Sequence, residues 1–147
     1  MEELTNYIFK SDLRNAKSLL NSGADINIQY GSGVYPIDAA INSDNPKTLE
    51  FVIDNGADIN IDCGLPLSTA LDYCMDGMIQ DNMPKPYPAA LEMVKILLDN
   101  GADILIRDLN GNRPIDVLKS YAPKAEKLSE LKEFFRPVIK DIDELLK

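Results

Sequence analysis

The sequence predicts an all-α chain: a solenoid of stacked helix-turn-helix units with hairpin fingers and a C-terminal helical cap. Three observations predict it. Nearly the same six residues recur as SGADIN (22–27), NGADIN (55–60) and NGADIL (100–105). Their glycines, Gly23, Gly56 and Gly101, are separated by 33 and then 45 residues (56 − 23 and 101 − 56). A fixed period in this range marks stacked helical repeats. The stretches after the first and third glycines, GADINIQYGSGVYPIDAA and GADILIRDLNGNRPIDVL, align over 18 residues without a gap. After Gly56, GADINIDCGLPLSTALDYC carries one extra residue.

A half-unit comes first, with helices near 3–10 and 12–22 and no finger before them, so residues 1–26 read as an N-terminal cap. The second unit, 27–59, has a finger at 27–35 and helices near 36–43 and 46–55. The third, 60–104, has a finger at 60–68 and helices near 69–76 and 88–100. The last segment, 105–147, has a finger at 105–113, a helix from about 114 and the cap. Gly23, Gly56 and Gly101 follow the last helical residue, where the chain turns left-handed and glycine does so without steric cost. Pro36 and Pro114 suit a first helical position, which needs no N–H. Asp38, Asp72 and Asp116 then fall in the first turn, beside the positive helix end. As a rival reading they form a row of catalytic carboxylates, one per unit.

The long interval contains 33 residues plus 12. The excess maps to 78–88, MIQDNMPKPYP, which reads as a loop because of Pro84, Pro86 and Pro88, with Pro88 opening the next helix. Met78, Ile79, Met83 and Tyr87 give it an apolar side. It either folds back over the repeat edge or protrudes as a contact element. In the tail, Leu128, Leu131, Phe135, Val138, Ile142 and Leu145 are spaced 3-4-3-4-3. Pro137 divides this run, which predicts two short helices at about 124–135 and 137–146. They cap the stack, or else form a dimerisation helix with a coiled-coil-like seam.

The pattern resembles the ankyrin repeat, which has a 33-residue period and a T-P-L-H-x-A signature. The matching segments are YPIDAA (35–40), TALDYC (69–74) and RPIDVL (113–118), with TLEFVIDNG, MVKILLDNG and the weaker NAKSLLNSG as second helices. The likeness runs from about residue 4 to about residue 125. Thr69 matches the threonine that caps the family's first helix. Tyr35 and Arg113 replace it elsewhere and offer no short side-chain acceptor. Leu105 departs from Asn27 and Asn60, so the last inter-repeat turn is expected to be held differently.

Composition limits function. The net charge is −9, from 15 basic and 24 acidic residues, which disfavours nucleic acid and anionic membrane and attracts basic surfaces. With no histidine, no Ser–His or Cys–His pair and no histidine metal site is available. Cys63 and Cys74 are too few for a zinc site or a disulfide framework and read as reduced, partly buried thiols. YGSGVYP lacks the lysine and strand–helix context of a phosphate loop, and Asp141/Asp143 lie in a solvated tail. The expectation is a non-enzymatic, cytoplasmic binder without cofactor or metal, monomeric when free. No signal peptide or membrane span is visible. An initiator-like Met1 and a capping tail suggest a complete stand-alone chain.

Recognition is then expected on the concave face formed by finger tips and first helices. The candidates are residues that the repeat does not need for packing: Tyr30, Ser32, Val34, Cys63, Leu65, Leu67, Asp108, Asn110 and Asn112 on the fingers, and Asn42, Ser43, Asp76, Ser120 and Tyr121 on the helices. Tyr30 and Tyr121 are the expected anchors. The function this implies is binding and regulating a protein partner with a basic surface, by masking it. A sharper alternative is an immunity- or antitoxin-type inhibitor covering the cationic site of a nuclease-like toxin, which the resemblance permits. Another is a scaffold that self-associates through its tail.

Overall fold

The computed structural model describes residues 3–31 and 33–147. Its helices are α1 (Leu4–Phe9), α2 (Leu13–Asn21), α3 (Pro36–Asn42), α4 (Pro46–Asp54), α5 (Ile61–Gln80) and α6 (Pro88–Asp99). A 3-10 turn at Pro114–Asp116 leads into α7 (Val117–Ser120), and α8 (Ala125–Phe135) and α9 (Ile142–Leu145) follow. The helices pair along the chain, α1 with α2, α3 with α4 and α5 with α6. An inner row stacks α1 on α3, α3 on α5 and α5 on α7, while α4 stacks on α6 behind it. Leu49, Val52, Met93, Val94 and Leu97 fill the space between the rows.

The repeated six residues are the joints of this stack. Gly23, Gly56 and Gly101 have φ of +102°, +94° and +98°. Each donates its N–H back into the helix that it ends, and so does the alanine after it. The aspartates of the motif accept the N–H two residues on, as in Asn27 N to Asp25 Oδ1 at 2.8 Å. The asparagines do something else: they clamp one repeat to the next. Asn27 donates to Gly56 O (3.1 Å) and accepts from Asp58 N (2.7 Å). Asn60 repeats both bonds with Gly101 O (3.1 Å) and Asp103 N (2.7 Å). Leu105 has no following copy of the motif to clamp, which accounts for the departure.

Several expectations need correction. The segment 60–68 is not a hairpin. Asp62, Cys63 and Gly64 are consecutively left-handed (φ +51°, +56° and +83°), and regular helix resumes directly after them. Pro66 is tolerated because it lies in the first turn after this kink. Thr69 and Asp72 therefore lie inside α5 rather than at its start, and Thr69 caps nothing; its hydroxyl bonds Asp38 instead. The helix also runs on to Gln80, because Leu71, Cys74, Met75 and Met78 continue one buried stripe. The loop is thus 81–87 rather than 78–88. It folds back on its own helix: the Tyr87 hydroxyl donates to Asp81 Oδ2 (2.6 Å), and Pro86 is buried.

At the far end Arg113 compensates for the missing threonine. The Asp116 carboxylate accepts the Arg113 backbone N–H (2.8 Å) and the guanidinium (2.8 and 3.2 Å). This pairing holds the Asp116 carboxyl well below the usual range. Arg113 also donates to Leu145 O (2.7 Å), tying the cap to the stack. Leu131, Phe135, Ile139 and Ile142 are buried in the core, so the tail's apolar seam faces its own chain. The second tail helix is shorter than expected, beginning at Ile142, because the chain turns at Pro137.

Candidate partner-binding face

The inner helices and the first and third fingers share one side of the stack. Finger one closes on the Tyr30–Val34 bridge. Finger three closes the same way, with Asp108 N donating to Asn112 O (2.9 Å). The Asp108 carboxylate also accepts from Asn110 N and Asn112 N, both at 2.9 Å. Asp108 therefore builds its finger as well as being exposed on it. Leu109, at this tip, is fully exposed.

Three depressions lie along this side. The first, about 490 Å³, is lined by Asn6, Phe9, Tyr30, Val34, Ala39 and Asn42 among others. The Tyr30 hydroxyl turns away to donate to Asp25 O (2.6 Å), so the ring contributes an apolar wall. The second, about 640 Å³, shares Asn42 and adds Asp44, Tyr73, Asp76, Asp81 and Tyr87. None of the described residues lining it is basic. Burial, reinforced by hydrogen bonding to Asp44, pushes the Tyr73 phenol up to about 12. The third, about 450 Å³, contains Cys63, Leu65, Asp72, Asp108, Asn112 and Ser120. Tyr121 links the second to the third, donating to Asp72 Oδ1 (3.0 Å) and Asp76 Oδ1 (2.8 Å).

Several residues expected on this face are thus brought together: Tyr30, Val34 and Asn42; Asn42 with Asp76; and Leu65 with Asp108 and Asn112. Ser43 is occupied locally, donating to Ala40 O (2.6 Å). Leu67 is 1% exposed and belongs to the core, because the supposed finger is helical there. Ser32 lies outside the described residues. Cys63 is exposed rather than partly buried, and Cys74 is buried, its thiol pushed up to about 12 by desolvation. Sequence reasoning missed Phe9, Asp44, Tyr73 and Leu109, while Asp81 and Tyr87 fell within the 78–88 segment that it read as folding back or as a contact element. For Asp44 the available signal was its place just beyond α3, outside the repeated motif.

The model of the ankyrin-repeat family matches residues 68–109. Zinc finger CCCH domain-containing protein 56 of Arabidopsis thaliana is 42% identical over 62 residues, 42% of this chain and 8% of that protein. BRCA1-associated RING domain protein 1 of Caenorhabditis elegans is 27% identical over 127 residues, 86% of this chain and 16% of its own length. The chain therefore spans less than a fifth of either curated relative. Among solved structures, the ankyrin repeat domain of Bcl-3 superposes with a TM-score of 0.59 at 20% identity, covering 88% of this chain and 50% of that one. No helix among the described residues is long and apolar enough to cross a membrane.

Proposed function

We propose that this chain, which is an ankyrin-repeat protein, is a protein–protein interaction module that binds a partner through a basic surface and regulates it by masking that surface. The observation that carries the reading is the second depression, where Asp44, Asp76 and Asp81 converge without a basic neighbour in its lining. With a net charge of −9, such a face steers a cationic partner toward it and disfavours anionic ones. The self-association reading has less support, since the spaced apolar residues of the tail that suggested it are buried in or packed against the chain's own core.

Affinity purification from lysate of the source cells tests this. Asp76→Lys, on the inner face, is compared with Glu50→Lys, an equal charge change on the outer helix α4. The expected result is a basic protein retained by the parent chain and by Glu50→Lys, released as salt rises, and lost with Asp76→Lys. Equal retention by both variants contradicts the proposed face.

A further inference from the structure

We infer that the first two depressions form one bipartite docking surface for an extended partner segment carrying an apolar side chain close to a lysine or arginine. The inference rests on the function proposed above and specifies what that partner presents. Phe9 is 56% exposed and Val34 37%, and both line the first depression over Ala39. Large apolar side chains left in water around one hollow cost about 25 cal/mol per Å² that a partner could cover, and such patches mark interaction sites.

Apolar lining alone names no occupant; the adjoining charge does. Asn42 lines both depressions, so the two adjoin. There the Asp44, Asp76 and Asp81 carboxylates stand beside the Tyr73 and Tyr87 rings. Carboxylates accept charge-assisted hydrogen bonds from ammonium or guanidinium groups, and aromatic faces attract the same cations. Each of these carboxylates already accepts one phenol hydroxyl, from Tyr73, Tyr121 and Tyr87 respectively. That fixes their orientation and leaves acceptor capacity on each. An extended segment presents side chains about 7 Å apart on one face, which suits two sockets with a common wall.

Panning a displayed library of short random peptides on the full chain, then measuring selected peptides by fluorescence anisotropy, tests the inference. The expected peptides carry an apolar residue within a few positions of Lys or Arg. Phe9→Gln and Asp44→Asn should each weaken them about tenfold, a loss of about 1.4 kcal/mol, while Glu50→Gln leaves binding unchanged. Asparagine also accepts the left-handed φ of +62° at position 44, and matched thermal melts establish that both variants fold. Peptides without the apolar–basic pairing, peptides insensitive to both substitutions, or no selection above background each overturn the bipartite groove. The masking function is judged separately, by the lysate experiment.

Discussion

Gly64→Ala is expected to destabilise the chain by about 2–4 kcal/mol, from a left-handed alanine and from overpacking. Gly64 has φ +83°, and a Cβ there would lie 2.7 Å from Ile106 Cγ2 and 2.8 Å from Pro114 Cγ. Those atoms belong to the third finger and to the start of the last repeat's first helix, so the clash strikes a repeat interface. Asp62 and Cys63 already hold left-handed conformations just before it, which leaves little freedom to relax. Urea unfolding followed by circular dichroism should show a lower midpoint with an unchanged slope. An unchanged midpoint would mean that the kink yields easily and does not lock the third repeat.

Asp38→Asn is expected to do the opposite at neutral pH. Asp38 is 8% exposed, and its Oδ1 has no hydrogen-bond partner among the described residues. Burial lifts its carboxyl to about 6, against the partial offset of the Thr69 hydroxyl. A carboxyl with a raised folded-state pKa binds its proton more tightly in the native than in the unfolded chain. Its contribution is therefore most favourable below the unfolded value near 4 and is lost as pH rises through about 6. The asparagine carries no charge at any pH, so the variant should match the parent near pH 4. By pH 7 it should be about 2 kcal/mol more stable, part of the gain being offset by a poorly bonded amide N–H. Unfolding free energies measured across this range check it; a difference that does not change with pH rules out a buried charge at Asp38. Asp116 works in the other direction. Its pairing with Arg113 favours the ionised form, so its contribution is present near neutrality and fades on acidification.

The repeat joints were legible because their residues have one dominant use. A glycine after a helical run, followed by A-D-I-N at a fixed interval, implies a left-handed stop and a stack. What Asn27 and Asn60 hold was not legible, since their partners lie in the next repeat, and Leu105 becomes intelligible only once those clamps are seen. The third repeat misled for a local reason. Thr69 suggested a helix beginning late, yet regular helix begins earlier, directly after three left-handed residues, of which Gly64 is the one that signals that conformation most strongly. The misplacement of Leu67 on the binding face follows from the same error. Asp44 was missed because it belongs to neither a finger nor a first helix, where candidates were sought, and Asp81 was read only as part of the 78–88 segment. They are distant in sequence, and the packing of α3 on α5 brings them to one hollow.

A basic partner is proposed to seat on the inner-helix side of this stack. Hydrogen–deuterium exchange of the chain with and without the partner recovered from lysate tests it most directly. Slowed exchange is expected in the turn after α3, at the end of α5 and the loop 81–87 that follows it, and in the first finger, with α2 and α4 unchanged. Protection confined to the outer helices would contradict it.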